Sequence, residues 1–224
     1  LFYVDTATWE NSKLVVSASL RQNYLDTLIE IGVPAKNIFM VSSGQILNVE
    51  HLIIPQMPWI SNKDGLFVDP GIFPWLRKLL NVNVKTTGIK DKKIFITRAN
   101  TKHRRVTNEK ELFKIAEGFG FILVDIGNLS VREQLLLGKE TSHIISPIGA
   151  NSSFFLFAPD TTKMLEMTPP EKRMNVMGAF SRASNIVYDQ IIGTPCEQTS
   201  TEILDGDYYI DPTEFRKMLQ ILIN

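Results

Sequence analysis

Short apolar runs alternate with amphipathic stretches along almost the whole chain, the rhythm of strand–helix–strand units around a parallel sheet. In the first third, Leu14, Val15 and Val16 predict a strand. Residues 20–31 predict a helix with Leu20, Tyr24, Leu28 and Ile31 on one face, stopped by Gly32. Residues 37–41 and 49–54 predict two further strands. From Pro55 to Pro74 the composition shifts to Pro, Gly, Trp, Asn and Asp, which predicts a long loop, and residues 73–80 then predict a helix. The polar stretch over 81–91, with Gly88, predicts a domain boundary. It divides the chain into a partial N-terminal Rossmann-like domain over residues 1–85 and a C-terminal domain over residues 86–224.

After Lys93 the pattern is cleaner. Ile94, Phe95, Ile96 and Thr97 predict a buried strand ending at Arg98. Asn108 predicts a helix start with Glu111 as its capping-box partner. Residues 121–124 predict the next strand, and Ser130 with Glu133 a second capping box before a helix over 134–137. Residues 143–146 predict a third strand, running through Pro147, Ile148, Gly149 and Ala150 into an apolar helix over 152–157. A strand over 163–167, a helix over 174–183, a strand from Ile186 and a final helix capped by Asp211 or Thr213 complete the series. Five strand–helix steps in this half predict a doubly wound α/β domain.

Composition narrows the partners. Lys plus Arg equals Asp plus Glu, 24 of each, so no net field draws the chain to nucleic acid or an acidic membrane, and any basic site must be local. The lone Cys196 cannot form an internal disulfide, which fits a reducing compartment. No apolar run reaches the roughly 20 residues of a membrane span. Leu1 opens directly into Phe2, Tyr3 and Val4 without an initiator Met, which reads as the middle of a domain. The expectation is a fragment, or a chain whose leading segment has been removed.

In an open parallel sheet, ligands bind beyond the carboxyl ends of the strands. Three loops predicted there carry chemistry. The first, Arg98-Ala99-Asn100-Thr101-Lys102-His103-Arg104-Arg105, holds four fixed cations in eight residues of a chain without net charge. Arginine's planar fork suits phosphate oxygens, so an anion site is one reading and a solvated basic loop the other. Nucleic acid fits less well, since no aromatic residues interleave with these cations. The second is Ser146-Pro147-Ile148-Gly149-Ala150-Asn151-Ser152, where small residues permit close backbone approach and helix amides attract phosphate. A plain strand-to-helix connection is the alternative. It lacks the glycines of a dinucleotide fingerprint and the Lys of a P-loop. The third is Glu166, placed to accept hydrogen bonds from ribose hydroxyls or to pair with Lys172 or Arg173.

Other polar residues point less clearly to chemistry. His51 and His143 lie in apolar runs and read as packed side chains. Asp205-Gly206-Asp207 has the spacing of a metal-binding pair but reads as a turn. No Cys/His cluster, zincin motif or serine elbow is present, and neither a metal nor a cofactor is expected.

Taken in order, these segments resemble glycosyltransferase family 61. The resemblance runs through Ile94-Phe95-Ile96-Thr97-Arg98, then Arg104-Arg105-Val106-Thr107-Asn108-Glu109 and Glu111-Leu112. It continues through Gly120-Phe121, Val124-Asp125, Leu129-Ser130 with Gln134, Gly149-Ala150 and Phe157-Ala158-Pro159, and closes at Met164-Leu165-Glu166. It implies two Rossmann-like domains of the GT-B type and an inverting transfer of sugar from a nucleotide-sugar donor, usually UDP-linked, to a hydroxyl of a glycan or related acceptor. Capsular and cell-surface polysaccharide synthesis are the processes it suggests.

On that resemblance Arg98 and Arg104 hold the diphosphate, with Arg105 as helper. Gly149, Ala150 and Asn151 offer backbone amides, and Glu166 binds the ribose. Asn108 and Glu109 either join the donor or orient the arginine loop. The family's base-bearing segment has no match here, so the catalytic residue is unassigned. Ile148 stands where many relatives have His. The expected place is the cytoplasm, at the inner face of the membrane where the acceptor is membrane-held. The rival reading is a non-catalytic nucleotide- or glycan-binding module on the same fold, and a second is a small RNA-binding protein.

Overall fold

The computed structural model describes residues 2–62, 65–83, 91–170, 176–196 and 206–224. The predicted domain boundary at 85–86 lies outside the described residues, as do Lys172, Arg173 and Asp205.

The N-terminal part starts with a short helix α1 (Thr6–Glu10), capped by the Asp5 carboxylate. Strand β1 (Leu14–Ser17), helix α2 (Gln22–Glu30) and strand β2 (Ile38–Val41) then form a strand–helix–strand unit, and β1 and β2 pair in parallel. Gly32 adopts φ +100 and stops α2, as its position predicts. The buried side of α2 is centred on Leu25, and Tyr24 is exposed, which corrects the expected face. At the end of α2, Ile31 packs against Leu80 of the same half and Leu135 of the second half.

The predicted strand over 49–54 is absent. Those residues carry no regular structure and expose Leu52, Ile53 and Ile54. An apolar run becomes a strand only with a hydrogen-bonding neighbour, and among the described residues β1 and β2 pair only with each other. The predicted long loop instead contains an antiparallel hairpin of β3 (Trp59–Asn62) and β4 (Gly65–Val68). Its Trp-Ile and Leu-Phe pairs are strand formers masked by flanking Pro and Asp. Helix α3 (Ile72–Asn83) follows.

The second half is built on strand β5 (Lys92–Ile96), helix α4 (Glu109–Glu117), strand β6 (Ile122–Val124), helix α5 (Val131–Glu140) and strand β7 (Thr141–Pro147). A 3-10 helix (Ala150–Phe157), strand β8 (Lys163–Thr168), helix α6 (Val176–Ser184) and strand β9 (Val187–Ile192) complete the sheet. Short strands β10 (Thr194–Pro195) and β11 (Tyr208–Tyr209) pair antiparallel, and helix α7 (Pro212–Ile223) closes the chain. The five long strands form one parallel sheet in the order β6-β5-β7-β8-β9.

Alternation along these strands separates two cores. Ile94, Ile96, Ile144 and Met164 pack with Ile126, Phe155 and Ala158 on one face. Phe95, Ile145, Leu165 and Met167 pack with Leu112, Phe121, Phe215 and Leu219 on the other. A strand covered on both faces reads as a continuous apolar run, which is why these strands were legible. The chain steps from β5 outward to β6, then crosses back over β5 to β7 and continues in the opposite direction. The order therefore reverses between β5 and β7, and that reversal opens a crevice at their carboxyl ends.

Local signals act unevenly. Ser130 and Glu133 form a full capping box at α5, and Asp211 caps α7 ahead of Pro212. The box predicted at Asn108 and Glu111 does not form. The Asn108 amide instead donates to the Ile210 carbonyl at 2.8 Å, and its oxygen accepts the Ile210 N–H at 3.2 Å. The α3 helix is fastened to the second half by Arg77, whose guanidinium donates to the carbonyls of Ala158 (3.0 Å) and Ser184 (2.8 Å). These are the trailing ends of the 3-10 helix and α6, where the helix dipole favours a cation. No helix among the described residues is long and apolar enough to cross a membrane.

Candidate functional site

The carboxyl end of β5 is held by the first residue of α4. The Glu109 carboxylate accepts hydrogen bonds from the Thr97 hydroxyl and from the Arg98 N–H, the latter at 3.0 Å, and Ala99 N–H donates back to Thr97 Oγ1 at 3.1 Å. A carboxylate in the first turn of a helix is favoured by the helix dipole, so the same residue starts α4 and orients the strand end. Thr101 N–H then donates to the Arg98 carbonyl at 3.0 Å, folding the loop back on itself. Arg104 takes a left-handed backbone, φ +56, a conformation that costs a non-glycine residue roughly 1–2 kcal/mol.

Across the crevice, β7 ends at Pro147 and Gly149 follows as the N-cap of the 3-10 helix. The Gly149 backbone has φ +156 and ψ −179, a region essentially restricted to glycine. A Cβ built there would lie 1.9 Å from Arg98 Nη1, so the arginine fork lies against the bare Cα. Arg98 is only 8% exposed, and its Nη2 donates to the His103 carbonyl at 3.4 Å. The two loops flanking the reversal point thus meet at one guanidinium.

Arg98 forms part of the wall of an open cleft of about 330 Å³. Thr97, Asn100 and Thr101 line it from the β5 loop, Asp125, Gly127 and Asn128 from the β6 loop, and Asn151 from the start of the 3-10 helix. The Asp125 carboxylate organises the β6 side by accepting hydrogen bonds from Asn100 Nδ2 (3.1 Å), Asn128 Nδ2 (3.1 Å) and Gly127 N–H (3.1 Å).

Strand β8 carries a buried polar group. Glu166 is 1% exposed, and the Tyr188 hydroxyl donates to its Oε2 at 2.7 Å. Burial first, and then the Glu166 charge, push the Tyr188 phenol far above its ordinary value, so Tyr188 stays a donor at all physiological pH. The Tyr208 hydroxyl donates to the Met167 carbonyl at 2.6 Å. Its phenol is also pushed strongly upward, first by burial and then by Glu166, while Arg98 and Arg104 act in the opposite sense. One phenol therefore feels Arg98, Arg104 and Glu166 together.

Of the residues predicted from sequence, Arg98 and Asn151 line the cleft, Gly149 seats Arg98, and Glu109 holds the Arg98 backbone. Ala150 opens the 3-10 helix on the exposed side. Arg104 and Glu166 lie within electrostatic reach of Tyr208 but are not among the residues lining the cleft. Arg105 and Asn108 turn away to the segment over 206–210: Arg105 forms a forked ion pair with Asp207, and Asn108 holds Ile210. Asp207 is thus engaged by Arg105, and its neighbour Asp205 lies outside the described residues. Among the described residues no His, Cys, Asp and Glu group could hold a metal ion.

Sequence reasoning missed Asp125, Gly127 and Asn128. Their signal was present, an Asp, Gly and Asn directly after an apolar strand, but it carries no cation to mark it as an anion site. It also missed Tyr188 and Tyr208, whose roles depend on a register that spacing does not reveal.

The family model described as Glycosyltransferase 61 matches residues 10–165, well over half of the chain. No curated protein matches. Among solved structures, the crystal structure of a diflavin flavoprotein A3 from Nostoc sp. is similar at 10% identity and a TM-score of 0.37, over 60% of this chain and 88% of that one.

Proposed function

We propose, from the premise that the chain belongs to glycosyltransferase family 61 and is a glycosyltransferase, that its donor is a UDP-linked sugar bound at the β5–β7 crevice. The sugar moves with inversion to a hydroxyl of a glycan or related acceptor, as in the synthesis of a capsular or other cell-surface polysaccharide. The architecture proposed for the whole enzyme is GT-B, with the C-terminal half carrying the donor. The place proposed for the reaction is the cytoplasm, at the inner membrane face where the acceptor is membrane-held.

The reaction makes two demands: a base for the attacking hydroxyl, and positive charge where the diphosphate leaves. Arg98 supports a reading in which the second is met by arginine. It sits at the reversal point of a doubly wound sheet, its fork is pinned by Gly149, and it borders a cleft of small-ligand size. Arg104 shares the load, and amides at the start of the 3-10 helix add partial positive charge. Asn100, Asn128 and Asp125 supply hydrogen-bonding groups for the nucleoside. Glu166 is the ribose carboxylate of this reading, and its burial under Tyr188 means that ribose contact requires Tyr188 to swing away.

The test is turnover. Incubation with UDP-sugars and hydroxyl acceptors, followed by NMR of the product, should give a glycoside of opposite anomeric configuration to the donor. Retained configuration sinks the inverting mechanism. Thermal stabilisation by GDP- or CMP-sugars, but not UDP-sugars, sinks the donor assignment.

A further inference from the structure

We infer that Arg105 is a positioning residue and not a phosphate ligand: through Asp207 it ties the segment over 206–210 to the arginine loop and so aims Arg98 and Arg104. The inference rests on the donor reading above.

The segment is joined to the loop by a continuous series of bonds. The Arg105 N–H donates to Asp207 Oδ1 at 2.9 Å, and its Nε and Nη2 donate to Asp207 Oδ2 at 3.0 and 2.6 Å. Tyr208 N–H donates to the Arg105 carbonyl at 3.0 Å, and Thr107 N–H donates to the Tyr208 carbonyl at 2.9 Å. Asn108 then exchanges two bonds with Ile210. Three residues, Arg105, Thr107 and Asn108, are thereby fixed to a segment about 100 positions away, directly after the left-handed Arg104. The other side of the segment is anchored too: Tyr208 is fully buried, its hydroxyl bonds to Met167, and a Cβ at Gly193 would lie 2.5 Å from its ring.

The Nε/Nη2 edge of the Arg105 guanidinium is committed to Asp207, so using that edge on phosphate would dismantle the attachment. Arg104, with φ +56, directly precedes Arg105, which is held on both backbone groups. The attachment therefore fixes the direction from which the loop's free end approaches the crevice. About half of the Arg105 side chain is exposed while Asp207 is mostly covered, and solvent screening on the arginine side keeps the pair's share of global stability small, which separates positioning from folding in a test.

A double-mutant cycle read by calorimetric UDP affinity decides the matter. Positioning predicts that Asp207→Ala and Arg105→Ala each weaken UDP binding by roughly tenfold, that the double variant is no worse than either, and that Asp207→Glu recovers part of the loss. The melting temperature should barely move. Direct phosphate binding by Arg105 predicts a loss in Arg105→Ala alone with Asp207→Ala unaffected, and that outcome overturns the inference. So does unchanged affinity in both. Should the wild type bind no UDP, the donor reading fails instead. Hydrogen exchange at the Thr101 and Thr107 amides then carries the test, with faster exchange in Asp207→Ala expected and unchanged exchange overturning it.

Discussion

Gly149 and Arg98 form the tightest pairing in the crevice, and each sets a limit on the other. At Gly149 an added methyl meets both an unfavourable backbone and the Arg98 fork at 1.9 Å. Gly149→Ala should cost about 1–3 kcal/mol of stability and displace the guanidinium, measurable as a lower unfolding midpoint together with weakened UDP binding. Gly44→Ala is the control. Gly44 has φ +83 but nothing within 4 Å of the added carbon, so only the backbone cost of roughly 1–2 kcal/mol applies and UDP affinity stays unchanged. Arg98 itself was legible in sequence because a cation follows directly on an apolar run and opens a basic loop. The reason for Gly149 was not, since the residue that fills its missing side chain comes from a loop about 50 positions earlier.

His143 shows a second effect at this scale. Burial first, then the charges of Lys93 and Lys163, lower its folded-state pKa. The unfolded chain therefore takes up the proton first, and binds more protons than the folded chain, as pH falls below about 6.5. This part of the stability is complete above that value and is lost on acidification toward the lowered folded pKa. Denaturant unfolding at about pH 7.5 and about pH 5.5 should show a larger acid loss in the wild type than in His143→Asn. An equal loss in the two would remove His143 from the account.

Among the elements, the parallel strands were readable because both faces are covered, while the N-terminal ones were readable only where a partner exists. Composition favoured a strand over 49–54 and a loop where β3 and β4 stand, and pairing decided the other way. Caps show the same dependence. Ser130 and Glu133 act locally and do what their spacing predicts, whereas Asn108, with the same signature, is recruited by Ile210 from the far end of the chain. Ser130→Ala should therefore cost about 1 kcal/mol, read by thermal unfolding, with UDP affinity unchanged because α5 does not line the cleft. Phe95→Ala, in a fully buried position of β5, should cost about 3–5 kcal/mol by the same measurement.

For the whole molecule, the doubly wound half and its reversal between β5 and β7 carry the functional argument. The strand count of that half was legible, but the order β6-β5-β7-β8-β9 was not, because spacing along a chain does not say to which side a crossover turns. That order brings the basic and the glycine-containing loops together at one crevice, while Glu166 lies within β8 and not in a loop. The family match supplies the class of reaction, and the crevice supplies the proposed donor end of it. The central claim is that the Arg98 fork at this crevice binds the donor's diphosphate. Its most direct test is calorimetric titration of UDP into the wild type, Arg98→Lys and Arg98→Ala, with thermal unfolding of each as the check on folding. Saturable binding by the wild type is expected, weakened at least roughly tenfold in Arg98→Lys, which keeps the charge but loses the fork. Loss of a charge-assisted contact worth about 2–3 kcal/mol implies a roughly 30- to 150-fold weakening in Arg98→Ala. Folded variants that bind UDP as tightly as the wild type, or a wild type that does not bind it, would contradict the claim.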